Sequence, residues 1–131
     1  MKTKKPLAVI LTAIYLALMS ILAVWITAHG FIAPIPLIRM TITVVALIGL
    51  LVRCRSLATY CLTLVALAFW AAASIDTAFT FPNGAAPPHG LPRSGMLAHA
   101  IIICLLLWRF SLGRPSRTFY GFVERDEANA V

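Results

Sequence analysis

The sequence predicts an all-α membrane protein of four transmembrane helices, about residues 7–28, 36–52, 57–75 and 94–110, with both termini cytoplasmic. Three observations carry that prediction. Of the 131 residues, 61% are hydrophobic and 11% charged, with a mean hydropathy of +0.94. Soluble domains hold about 45–50% apolar and about 25% charged residues, so the main solvent here must be lipid. The apolar residues gather into four runs of spanning length, and the basic residues collect in alternate gaps between them. Residues 1–110 then form one transmembrane domain with an extracytoplasmic loop at 77–93. Residues 111–131 form a cytoplasmic tail, and no room is left for a soluble domain.

The first helix follows the basic leader Lys2, Lys4 and Lys5, with Pro6 suited to an opening turn. No charge appears from Leu7 to Ala28, enough to span a bilayer at ~1.5 Å per residue. The leader, the run and Ala28-His29-Gly30 also resemble a secretory signal. Signal cores are shorter, about 7–15 residues, and Trp25 stands at the far end like an interface anchor. A retained helix is expected.

A proline-broken connection, His29 to Pro36, leads into the second helix, which runs to Val52 and is ~25 Å long. A start nearer Phe31 sets Arg39 deeper. Arg53-Cys54-Arg55 makes a basic turn, and Ser56 can cap the third helix, Leu57–Ile75. Ala68, Ala72 and Asp76 recur every four residues, a spacing of small side chains that lets membrane helices approach closely. That stripe is expected to pack on protein and to turn Asp76 toward it.

Pro82, Pro87, Pro88 and Pro92, with Asn83-Gly84 and His89-Gly90, exclude regular structure from the outer loop. Phe79 and Phe81 are expected to dip into the headgroup layer. Ser94 is the candidate cap of the fourth helix, and Trp108 and Arg109 are its inner anchors. In the tail, Arg114, Arg117 and the Phe119-Tyr120-Gly121-Phe122 cluster suit a membrane surface. Glu124-Arg125-Asp126-Glu127 reads as a solvated terminus.

Orientation comes from the bases. Lys2, Lys4, Lys5, Arg53, Arg55, Arg109, Arg114 and Arg117 fall on one side, against Arg39 and Arg93 on the other. Eight against two puts the termini in the cytoplasm. The formal charge of +7 therefore points to anionic headgroups of the bilayer as partner and not to nucleic acid.

Chemistry is sparse. His29, Arg39, Asp76 and His99 form the candidate polar cluster at the outer face, with His89 and Arg93 nearby in the loop. Groups of this kind at membrane depth usually face the bundle interior or a water-filled cavity. Arg39 sits near a helix N-terminus and Asp76 near a C-terminus, each on the end its charge disfavours by ~0.3–1 kcal/mol. An Arg39–Asp76 contact would offset both penalties and is expected. His99 is expected as a neutral, hydrogen-bonded imidazole.

Cys61 and Cys104 fall at similar depths and, like Cys54, read as small hydrophobes outside any disulfide framework. The histidines and Asp76 match no metal-ligand spacing, so neither a metal nor a cofactor is expected. Asp76 is the one carboxylate before the tail, which removes paired-carboxylate catalysis. Phosphate-loop and nucleophile-elbow motifs are absent too, so no catalytic residue is assigned and the expectation is a non-enzyme.

By layout alone the chain is similar to small four-helix bacterial inner-membrane proteins, among them immunity proteins against pore-forming toxins. No motif carries that similarity, and no site transfers with it. The expected function is that of an accessory, assembly or regulatory partner of another membrane protein, or of a second copy of itself. The alternatives are an immunity protein against a membrane-active toxin and a small oligomeric transporter or channel.

Overall fold

The computed structural model describes residues 5–30, 34–52, 55–80 and 93–121. They form five helices: α1 (Leu7–Ala28), α2 (Pro34–Val52), α3 (Leu57–Thr80), α4 (Arg93–Leu112) and the short α5 (Arg114–Phe119). No strand occurs among the described residues. By length and composition α1, α3 and α4 are apolar enough to cross a membrane, while α2 is shorter. Residues 81–92 of the expected outer loop, His89 among them, and Cys54 lie outside the described residues.

The helix limits differ from expectation where polar residues were read as ends. The second helix starts at Pro34, two residues early, so Arg39 lies deeper in it. The third passes Asp76 and continues to Thr80. Thr77 and Thr80 donate their hydroxyls to the carbonyls of Ala73 and Asp76, at 2.7 and 2.8 Å, which keeps a polar helix end satisfied within itself. At the fourth helix, Ser94 is the second helical residue and not the cap. Gly30, at a φ of 91°, ends α1 in the left-handed region, where a side chain would be strained.

Sequence neighbours pack as antiparallel pairs, and α1 closes the ring against α4. Thr27 near the end of α1 reaches Met40 near the start of α2, while Gly49 near the end of α2 meets Thr59 near the start of α3. Tyr60 donates to the carbonyl of Ser111 at 3.2 Å, tying the start of α3 to the end of α4. The chain thus runs up, down, up and down. Lys5, Arg55, Arg109 and Arg117 share one end of the bundle, called here the basic end.

Leu16, Leu50, Leu67, Ile103 and Phe110 are fully enclosed and fill the centre. Around them the interior is unusually rich in hydroxyls: Thr12, Thr43, Thr59, Thr63 and Ser74 are all buried. Large aliphatic side chains such as Ile14, Leu18, Ile21, Ile48, Ile101 and Leu105 face outward instead. Water would oppose that inverted distribution, and hydrocarbon permits it.

At the basic end the start of the tail folds back. Phe119 is buried, and its carbonyl accepts a hydrogen bond from Arg55 Nε at 3.2 Å. Tyr60 and Phe110 stack at 5.4 Å, with the Tyr120 ring 4.9 Å from Tyr60. The expected surface-lying aromatic segment is instead part of the packed body as far as Gly121. Tyr60, Phe110, Phe119 and Tyr120 pack their rings against one another there, an arrangement that buries large apolar surfaces.

Candidate functional site

The polar side chains of the bundle interior come from all four long helices, and each reaches its place through helical periodicity. On α2, Arg39, Thr43, Ala46 and Leu50 follow one face, the last three buried. On α3 the inward face is Thr59, Thr63, Ala66, Leu67, Trp70, Ala71, Ser74 and Ala78. Tyr15 enters from α1 and His99 from α4.

Two hydrogen-bonded strings result. In the first, the Trp70 indole N–H donates to Thr43 Oγ1 at 2.9 Å, and the Thr43 hydroxyl donates to the Arg39 carbonyl at 2.7 Å. The second runs through His99. Ser74 donates to the Trp70 carbonyl at 2.8 Å, and its oxygen lies 2.9 Å from His99 Nδ1. Tyr15 Oη lies 3.2 Å from His99 Nε2.

Proton counting sets the tautomer. Ser74 has one proton and gives it to Trp70, so His99 Nδ1 carries a hydrogen and donates to Ser74. His99 Nε2 then accepts from the Tyr15 hydroxyl. The opposite tautomer would leave the Tyr15 proton without an acceptor. Every donor in the string is spent, as burial demands.

Arg39 stands apart from this economy. Its guanidinium carbon lies 4.4 Å over the Trp70 ring, a cation–π contact, and the side chain is half-buried. Among the described residues its guanidinium has no hydrogen-bond acceptor and no carboxylate partner.

The four residues expected to cluster therefore separate. Arg39 and His99 belong to the interior assembly. His29 is exposed at the end of α1, where it bonds the Trp25 carbonyl at 2.8 Å and stacks on the Trp25 ring at 4.3 Å. Asp76 points outward and makes no ion pair among the described residues. The expected Arg39–Asp76 contact does not form: Asp76 comes six residues after Trp70, about 120° round the helix from it at 3.6 residues per turn, and faces outward. Aromatic density replaces the carboxylate as the neighbour of Arg39.

Ala68 and Ala72 are likewise exposed. Packing within the chain uses the stripe on the other side of α3, where Ala66, Ala71 and Ala78 are buried. Cys61 and Cys104 are free thiols on outward faces. The described residues hold no group of three or more His, Cys, Asp or Glu that could bind a metal.

Tyr15, Trp70 and Ser74 were missed in the sequence because each is an ordinary residue in an apolar run. The available signal was spacing: Trp70 and Ser74 stand one turn apart, as do Arg39 and Thr43, so each pair shares a helix face. Which faces meet is set by packing alone. Ser74 with His99 superficially suggests a nucleophile and its base. Ser74 is only 4% exposed, its proton is committed to Trp70, and a tyrosine stands where an orienting carboxylate would be needed.

The grooves of the bundle are apolar. One of about 310 Å³ lies at the basic end between α1 and α4, lined by Leu7, Leu11, Ile102 and Leu105 with Arg109. Another, of about 550 Å³, is bordered by Ile75, Phe79, Leu97 and Ile101. The chain matches no family model, no curated protein and no solved structure.

Proposed function

We propose that this chain is a four-span inner-membrane protein with cytoplasmic termini that acts, without catalysis, by binding another membrane protein. Its role is that of an accessory, assembly or regulatory subunit. One observation carries the reading: the Ala68, Ala72 and Asp76 stripe faces away from the protein's own bundle. Small residues on an outward face admit a second helix at short range, and an outward carboxylate within a membrane helix favours a polar or cationic partner over lipid. The gathering of Lys5, Arg55, Arg109 and Arg117 at one end supports the orientation.

The internal strings lend less to the transporter alternative, because their hydroxyls and imidazole are bonded to one another. Affinity purification in mild detergent tests the partner reading. A stoichiometric membrane partner is expected with the native chain, and Ala72→Leu should reduce its recovery severalfold while leaving the chain's own folding intact. A clean monomer that brings nothing down would remove the proposal.

A further inference from the structure

Among the described residues the interior cation has no counter-ion. The chain carries four acidic side chains: Asp76, Glu124, Asp126 and Glu127. Asp76 faces outward on α3. The other three follow Gly121 and lie outside the described residues. Neither residues 31–33 nor residues 81–92 contain an acidic residue. No described carboxylate neutralises Arg39, which leaves its guanidinium open to an anion from outside the chain.

The surroundings select the chemistry of that counter-ion. The Trp70 ring covers one face of the guanidinium at 4.4 Å, and Thr43 holds that ring by its N–H. Stacking leaves the in-plane N–H groups free, and a planar fork of donors matches a tetrahedral oxyanion through two parallel hydrogen bonds. Arg39 is five residues from the start of α2, ~7.5 Å along the axis, within a side chain's reach of the headgroup layer. Lipid phosphate is abundant at that level.

From this arrangement we infer that Arg39 of α2, stacked on Trp70 of α3, is a binding site for a phosphate group, supplied by a lipid headgroup or by free phosphate. It lies on a different face of α3 from the Ala72 stripe and does not depend on the partner reading. Trp70 and Thr43 are positioning residues: they hold the guanidinium and leave its edge to the oxyanion.

Native mass spectrometry on the full chain, delipidated in an uncharged detergent, separates the sources. Phosphatidylglycerol and inorganic phosphate are titrated separately and then in competition. One saturable adduct per chain is expected, weakened at least tenfold by Arg39→Gln and severalfold by Arg39→Lys, which keeps charge but loses the fork. Arg93→Gln, a surface cation stacked on Phe79 at 5.3 Å, should bind as the native chain does. Lipid adducts that excess phosphate does not displace identify a headgroup site, and a phosphate adduct that excludes lipid identifies a soluble one. Absence of a saturable adduct with both probes overturns the proposal. So does native-like binding by Arg39→Gln, or by Arg39→Lys if the glutamine variant does not fold.

Discussion

Two buried hydroxyls of the bundle interior make opposite contributions. Ser74 accepts from His99 and donates to Trp70. Thr12 Oγ1, one turn before Tyr15 on α1, is buried with no hydrogen-bond partner among the described residues. Removing a bonded partner strands the group it served, at ~1–3 kcal/mol, whereas removing an unsatisfied hydroxyl relieves a desolvation cost. Ser74→Ala should therefore lower the thermal midpoint in detergent, and Thr12→Val should leave it unchanged or raise it. An unshifted Ser74→Ala midpoint would contradict the Ser74–His99 hydrogen bond. The polar residue types were legible in the sequence, but their partners were not. His99 is read correctly as hydrogen-bonded, yet Tyr15 and Ser74 stand 84 and 25 residues from it, beyond any local pattern.

At the scale of elements, α2 and α3 are held together by the absence of a side chain. A Cβ on Gly49 would lie 2.9 Å from Thr59 Oγ1 and 3.2 Å from Thr59 Cγ2. Thr59 is buried and branched at Cβ, so it yields little. Gly49→Ala should destabilise the bundle by ~1–3 kcal/mol through overpacking, and Thr59→Ala in the same chain should recover most of that loss. Thermal unfolding of the two variants checks both halves, since non-recovery would place the strain elsewhere. Helix existence followed directly from the apolar runs, while helix ends were misread at Asp76 and Ser94. A charge or a serine marks an end only if its polar atoms need water. Side-chain bonds to the preceding turn supply that need from inside the helix, and they carried α3 four residues past Asp76. The same local reading could not foresee α5, whose stability comes from Phe119 and its neighbours packing under α3 and α4.

For the whole molecule, the inside-out distribution of side chains and the basic end agree with a bundle threaded through lipid. Reporter fusions at Val131 and Gly84 should give a cytoplasmic C-terminus and an extracytoplasmic loop; an extracytoplasmic Val131 would overturn the threading. In that frame the molecule presents two separate polar opportunities. Arg39 looks inward onto Trp70, and Asp76 looks outward beside Ala68 and Ala72. The sequence expected these charges to cancel each other, and the fold keeps both available.

By itself the sequence determined the number of long helices, their order and the bias of their charges, because apolar run length and basic gaps are local quantities that packing cannot alter. Rotation of each helix about its axis was decided only by the tertiary structure. A shift of one residue swings a side chain by about 100° at 3.6 residues per turn. Small differences in how Trp70, Gly49 and Phe110 fit their neighbours therefore settled which polar groups met inside and which were left on the outside of the bundle.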